Sequence, residues 1–556
     1  MKAVWARPAK SNRSNRSRGV SRWSGDAGRW CGLPSVTEPG NGILLMADPE
    51  PSSVSEEVDR TVVRRVLERG FNVDREAVTL LSTATDIEDT LDLIIDHLDA
   101  ERHTITGADV RSIVDGGRTN RPEGNPSASS GTNPTKPRED PAAVPDETRG
   151  STSTNSEPID VSGDVTGEST GTGEYADFVA VFRDRYRRLS QLLRGRVNHR
   201  PMEAIDSMSG GSTVETIGMI SDIRSTANGH WLLELEDPTG SFPVLVMKDR
   251  ELAATVDELV LDEVIGISGT LSDDAGIVFV DDILFPDVPR TNTPNRASRS
   301  VGAVFISDIH VGSQEFAAAA WEDFADWLAT DDAESIEYLL ICGDMVEGVG
   351  VYPGQDEELD IVDIYDQYTE FSERLKSVPG DLEIIMIPGN HDAVRLAEPQ
   401  PAPIEELRTI MSAHDARIFG NPSTVTIEGV SILLYHGMSL DEIIAEAPSD
   451  IASYESPEGA MRQLLRKRHL APTFGGKMRI APEDRDYLTI ESVPDIFHTG
   501  HVHKFGAGSY HGVQLLNTGC WQHQTAFQRS VNIDPDVGVA PVVDLQTFDV
   551  TLRKFV

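Results

Sequence analysis

Asp308, His310, Asp344, Asn390, His436, His501 and His503 all stand at or just beyond the end of a short apolar run. The runs are VGAVFISDIH (301–310), EYLLICGD (337–344), LEIIMIPGNHD (382–392), SILLYHG (431–437) and DIFHTGHVH (495–503). Carboxylate, amide and imidazole donors in this mixture suit two divalent ions rather than one. Asp308 and His310 are two apart, as are His501 and His503, so in an extended segment each pair projects to one face. The two oxygens of Asp344 can bridge cations held about 3.5–4 Å apart, the spacing that two-metal hydrolysis uses. The amide oxygen of Asn390 ligates without adding charge, and Gly389 before it permits a tight turn. One histidine near a strand end is ordinary; this many donors in five such loops make a constellation. His414, His498, His511 and His523 lack that context and are left out.

The elements that must position these donors are readable from the same runs. Each reads as a buried β-strand entering a Gly-containing loop, and together they place the chemistry in the largest domain, 300–556. Upstream, residues 211–290 alternate apolar and polar residues in VETIGMISDIR, HWLLELEDPTG, SFPVLVMK, VIGISGTLS and GIVFVDDILF. Five such strands predict an OB-type β-barrel. With Trp231 and Phe242 its only evident stacking candidates and few basic residues, a structural or subunit-contact barrel is favoured over a strand-binding one. Residues 174–210 open with an amphipathic helix whose apolar positions are Phe178, Phe182, Tyr186, Leu189 and Leu193. Arg183, Arg185, Arg187, Arg188, Arg194 and Arg196 occupy its other positions. That arginine stripe reads as a contact to DNA or an acidic partner, or as a solvated face paired with nearby carboxylates. Residues 116–173 are rich in Gly, Ser, Thr, Pro, Asn and Asp and predict a disordered linker. Residues 46–115, with VDRTVVRRVLERG and DIEDTLDLIIDHLDAE, predict a small helical module.

The chain has 556 residues with 49 basic against 91 acidic side chains, a net charge of −42. Such acidity argues against nucleic acid as a partner in ordinary salt. It also fits a protein working in very high salt, where screening shortens charge interactions to a few Å, and this second reading is preferred. Three cysteines, Cys31, Cys342 and Cys520, make no disulfide framework, which points to a reducing, cytoplasmic setting. No apolar stretch is long enough to span a bilayer. Residues 1–45 are basic and lack a signal-peptide apolar region; they read as a basic extension, or as sequence upstream of a translation start at Met46. The cluster Arg462, Arg466, Lys467, Arg468 and Arg479 is the best candidate for gripping a DNA backbone, with an acidic partner surface as the equal alternative.

The ordered series D-x-H, G-D, G-N-H-D, H-G and G-H-x-H resembles the calcineurin-type metallophosphoesterase superfamily over roughly 300–530. That resemblance implies a two-sheet β-sandwich flanked by helices, with Asp308, His310, Asp344 and His503 on one ion and Asp344, Asn390, His436 and His501 on the other. It implies that His391 acts on the scissile phosphate and the leaving oxygen. Asp392 and Glu347 are equal candidates to orient His391, with support of the site from behind as the alternative for both. The domain order, and the segments RKRHLAPTFGG (466–476), VPDIFHTGHVH (493–503) and VGVAPVVDL (537–545), resemble the small-subunit family of the archaeal replicative DNA polymerase D. This implies an α+β multidomain chain carrying a metal-dependent 3′-to-5′ exonuclease for single-stranded DNA ends. It also implies a large catalytic polymerase subunit as partner. The two ions would be Mn²⁺, with Fe²⁺ or Zn²⁺ also compatible. A stand-alone phosphatase on small phosphoesters and a non-catalytic replication scaffold remain the alternatives.

Overall fold

The computed structural model describes residues 159–169 and 173–556, apart from positions 353 and 531, together with scattered residues between 65 and 111. The basic extension 1–45 and residues 116–158 of the expected linker lie outside the described residues. In the N-terminal unit, a helix Ile87–Ile95 shares a core with Val66, Ala77, Leu81, Ile105 and Val110. Strands β1 (Asn72–Val73) and β2 (Thr104–Ile105) pair in parallel, so the unit is not purely helical. No helix among the described residues is long and apolar enough to cross a membrane.

The stretch expected to be linker ends in structure. Strand β3 (Asp160–Ser162) pairs antiparallel with residues 424–426. The Asp164 carboxylate accepts from the backbone N–H groups of Thr166 at 2.8 Å and Gly420 at 2.9 Å. The expected boundary at 173 is therefore too late. Backbone pairing and one capping carboxylate hold this segment, and neither shows in composition.

The all-β unit is a closed five-stranded barrel. Its strands are β4 (Thr213–Ser225), β5 (Trp231–Asp237), β6 (Gly240–Val246), β7 (Val264–Leu271) and β8 (Val278–Leu284), in the order β4-β5-β6-β8-β7. Alternation puts Val214, Leu233, Leu235, Val244, Ile265, Ile267, Val278 and Val280 inside. Phe242 is also in that core, 3% exposed, and is therefore not available for stacking on a base; Trp231 is partly buried against it.

Two six-stranded sheets make the body. The first runs β12 (Arg417–Ile418), β11 (Glu383–Ile387), β10 (Ile336–Cys342), β9 (Gly302–Ile306), β18 (Val539–Asp544), β19 (Val550–Lys554). The second runs β16 (Gly506–Tyr510), β17 (Val513–Asn517), β15 (Ile496–Thr499), β14 (Val430–Leu434), β13 (Ser423–Ile427), β3. Phe305, Leu340 and Ile385 from one sheet share a core with Ile432, Leu434, Ile496 and Leu516 from the other. On the far side of the first sheet pack the helices Ala318–Leu328 and Ile364–Leu375, through Trp321, Phe324, Tyr368 and Phe371. Helices Leu440–Glu446 and Glu458–Lys467 cover the second. Both sheets are thus buried on both faces at their centres, which is why their central strands read as continuous apolar runs rather than alternating ones. Strands β9, β10 and β11 are mutually parallel, as are β14 and β15. All five donor loops consequently leave from C-terminal strand ends.

Helix Tyr175–Leu193 lies across β4 and β7, burying Phe182, Tyr186, Leu189 and Leu193 against Ile217, Met219 and Val264. Its arginines are largely spent within the chain. Arg185 is fully buried, with Nε 2.7 Å from Asp486 Oδ2 and a further bond to the Pro472 carbonyl. Arg188 pairs with Asp184 at 2.6 Å and Glu491 at 3.1 Å. Arg196 donates to the carbonyls of Phe285 and Pro286.

The grip on DNA expected of residues 462–479 also changes. Lys467 is buried, 3.2 Å from Glu263 and bonded to the Glu258 carbonyl. Arg466 pairs with Glu258 and lies 3.9 Å over the Phe285 ring. Arg468 is buried and donates to the carbonyls of Ile490 and Asp287. These three fasten the body to the barrel and its exit segment, so they are not a DNA surface. Only Arg462 and Arg479 of the cluster stay exposed.

Candidate metal centre

The five loops converge as their strand ends require. Ligand atoms of Asp308, His310 and His503 lie within 4.8 Å of one another, and so do those of Asp344, His436 and His501. In the first group His310 Nε2 is 3.1 Å from His503 Nε2, and His503 Nε2 is 3.4 Å from Asp308 Oδ1. In the second, His436 Nε2 is 3.2 Å from Asp344 Oδ2 and 3.0 Å from Asn390 Oδ1. Asp344 lies between them: its Oδ2 is also 3.9 Å from His310 Nε2.

The backbone is shaped to make this possible. Asp308, His310, Asp344, His501 and His503 all have φ between 53° and 70°, the left-handed region that side-chain-bearing residues rarely adopt. Among the described residues, five of the fifteen non-glycine positions with positive φ are these donors, a placement consistent with a functional site. Two glycines make room. A Cβ on Gly343, at φ 90°, would stand 2.3 Å from His436 Nδ1, and one on Gly389 would stand 2.2 Å from Asp344 Oδ1.

Outer partners fix the rings. His310 Nδ1 is 2.8 Å from Glu347 Oε2, His436 Nδ1 is 2.9 Å from the Cys342 carbonyl, and His503 Nδ1 is 2.8 Å from the Gln528 side-chain amide. His501 Nε2 is 3.4 Å from Asp441 Oδ2. Glu347 also accepts from Gln355 Nε2 at 3.1 Å and Gln522 Nε2 at 2.8 Å. Burial raises the Glu347 carboxyl, but His310 and His391 outweigh it and bring it to about 2. Asp344 is held well below the usual carboxylate range, because His436 and His391 overcome its burial. The converse holds at His436, where burial lowers the imidazole but Asp344 pushes it up to about 10. The carboxylates are ionised and the imidazoles beside them offset their charge, a part that a divalent cation could take over. Oxygen and imidazole donors at this spacing fit divalent metals.

His391 sits beside these two groups, its ligand atom within 4.8 Å of those of His310 and Glu347 in a third cluster. Its backbone N–H donates to Asp344 Oδ1 at 2.8 Å, and its Nδ1 meets the Glu347 carbonyl at 2.8 Å. With Nδ1 held there, Nε2 is the ring atom left to act. Between the two expected supports, Glu347 holds His391 through its backbone oxygen at 2.8 Å, and its carboxylate stands 2.8 Å from His310 and 3.7 Å from His391. Asp392 accepts from the N–H groups of Gly389 and Met345 and from Tyr368, bracing the loop rather than the ring. Gln528, Gln522 and Asp441 escape sequence reasoning because none ends an apolar run. Asn421, whose Oδ1 accepts from the His436 N–H at 3.0 Å, escapes it too.

Fold and site together define a two-sheet α+β protein with a multi-donor candidate metal centre at its strand ends and a closed barrel attached. Residues 303–507 match the B-subunit family of DNA polymerases alpha and epsilon. The DNA polymerase II small subunit of Halobacterium salinarum (strain ATCC 29341 / DSM 671 / R1) is 61% identical over 500 residues, covering 89% of this chain and 98% of that one. The protein of the same name from Archaeoglobus fulgidus is 42% identical over 67% of this chain and 76% of its own. That from Methanocaldococcus jannaschii is 40% identical over 69% of this chain and 66% of its own. This chain belongs to the family of DNA polymerase II small subunits. Among solved structures, an archaeal phosphodiesterase overlaps 46% of this chain at 13% identity with a TM-score of 0.25, too loose a match to carry an argument.

Proposed function

We propose that this chain is the exonuclease subunit of a two-subunit archaeal DNA polymerase, hydrolysing single-stranded DNA from its 3′ end. The observation that carries the proposal is the pair of donor groups that meet at Asp344. Asp308, His310, Asp344 and His503 would hold one divalent ion, and Asp344, Asn390, His436 and His501 the other. Manganese is the working identity, with Fe²⁺ or Zn²⁺ compatible with the same donors. When bound, such a pair supplies an acidified water as nucleophile and offsets charge on the phosphoryl oxygens. His391, anchored through Nδ1 on the Glu347 carbonyl, presents Nε2 to the phosphate and donates a proton to the departing 3′ oxygen. Glu347 keeps His310 in one orientation, so the donors need little rearrangement on binding.

The rest of the architecture supports the reading. Two sheets with a shared core and helices outside are what a calcineurin-like sandwich requires. The barrel's circular order of first, second, third, fifth and fourth strand suits an OB-type barrel. The domains would then run as an N-terminal module (46–115), a tether, a helix (174–210), the barrel (211–290) and the phosphoesterase (300–556). A large subunit would supply synthesis, in the cytoplasm where the chromosome lies.

The test is Mn²⁺-dependent release of mononucleotides from 3′-labelled single-stranded DNA. Wild type should release them, and His391→Ala should be slower by about 100-fold or more. No release by wild type, undiminished release by the variant, or faster turnover of small phosphoesters than of oligonucleotides would each overturn the proposal.

A further inference from the structure

Each imidazole of the metal centre turns one nitrogen toward the other donors and has the second held from behind. For His310, His436 and His503 the held atom is Nδ1, met by Glu347, the Cys342 carbonyl and Gln528. His501 is reversed: its Nε2 is 3.4 Å from Asp441 Oδ2, which leaves Nδ1 as the atom available to the group shared with Asp344 and His436. We propose that Asp441 is a positioning residue that aims His501 at the ion shared with Asp344 and His436. The inference rests on the metal-centre reading above. A carboxylate behind a ligating histidine fixes its tautomer and raises its donor strength, and its loss weakens metal binding about 10- to 100-fold.

Asp441 is itself held in place. Its Oδ1 accepts from Tyr454 OH at 3.0 Å. It lies in the first turn of helix Leu440–Glu446, which starts directly after the loop carrying His436; the Leu440 N–H donates to the Gly437 carbonyl at 2.9 Å. One loop therefore supplies both a donor to this ion and the carboxylate behind a second donor, which arrives from another strand. A displacement of that loop would loosen both together and leave the Asp308, His310 and His503 group untouched.

The experiment is a Mn²⁺ titration of the full chain by calorimetry, with free Mn²⁺ counted by electron paramagnetic resonance. Wild type should bind two ions. Asp441→Ala and Asp441→Asn should bind one unchanged and the other about 10- to 100-fold more weakly. Asp441→Glu should recover most of the loss, and raised Mn²⁺ should restore nuclease activity to the weakened variants. If Asp441→Ala does not fold, the isosteric Asp441→Asn decides. Wild-type binding of both ions in the Asn variant would overturn the positioning role alone. Selective loss of one ion in a wild-type protein that degrades no DNA would sustain that role and overturn the exonuclease. A wild-type chain that takes up no Mn²⁺ would overturn both.

Discussion

Glu347 and His391 sit side by side yet carry different work, and variants should separate them. The Glu347 carboxylate lies 2.8 Å from His310 Nδ1 but 3.7 Å from His391 Nδ1, and it is the backbone carbonyl, at 2.8 Å, that holds His391. Glu347→Gln keeps that carbonyl and loses the charge behind His310. Its expected defect is weaker Mn²⁺ binding, about 10- to 100-fold, with nuclease activity recovered at high Mn²⁺. His391→Ala should bind both ions normally and stay slow at any Mn²⁺ concentration. Equal rescue of the two variants would remove the distinction. Gly343 makes a second case at this scale. Gly343→Ala forces a Cβ into His436 at a positive φ, so it should lower stability by more than about 1 kcal/mol and weaken the ion held by His436. Thermal melts and the Mn²⁺ titration read the two effects separately. The donors were legible in the sequence because each follows an apolar run that could only be a buried strand. The residues behind them were not, since Gln528 and Asp441 reach the site through helices whose placement is tertiary.

At the scale of elements, the helix Tyr175–Leu193 shows where sequence patterning stops. Its apolar stripe was readable from spacing, and it packs on the barrel through Phe182, Tyr186, Leu189 and Leu193. The fate of Arg185 was not, because its partner Asp486 lies 301 residues away. The same holds for Lys467, whose buried partner is Glu263. An arginine or lysine looks alike in sequence whether it meets solvent, DNA or a buried carboxylate. Removing one partner of the buried Arg185–Asp486 pair should cost about 3–5 kcal/mol, so Arg185→Met is expected to lower the denaturation midpoint sharply at pH 7. The pH dependence follows from Asp486. Burial raises its carboxyl, but His469 and Arg185 beside it prevail and hold it below the ordinary value. Burial and Arg185 lower the His469 imidazole itself, so the opposing charge at neutral pH is chiefly Arg185. A carboxyl depressed in the folded state stabilises above its unfolded value, about 3.9, and that contribution fades as pH falls toward the folded value. The gap between wild type and Arg185→Met should therefore narrow below about pH 4. Urea titrations of both proteins from pH 7 to pH 3 measure it, and a gap that widens in acid would contradict the pairing.

For the whole molecule the governing quantity is charge. The net −42 is spread over a chain whose basic groups Arg185, Lys467 and Arg468 are buried within it, so they do not relieve the charge outside. Like charges on the remaining surface repel across water unless salt intervenes. The screening length falls from about 10 Å at 0.1 M salt to about 3 Å at 1 M, so self-repulsion in the compact state should weaken steeply over that range. The unfolding midpoint is expected to rise as KCl is raised from 0.1 M to 1 M and beyond. The buried Arg185–Asp486 and Lys467–Glu263 pairs are shielded by protein rather than by ions, so the loss caused by Arg185→Met should stay nearly constant across the series. DNA binding should follow the opposite logic to that of a basic protein. With 91 acidic side chains against 49 basic ones, few phosphates are neutralised on binding, so its affinity should fall only shallowly with salt. Fluorescence-detected melts and single-stranded DNA binding over the same KCl series test both expectations. A flat midpoint, or a steep loss of DNA affinity, would mean that the acidic surface is not what sets this protein's response to salt.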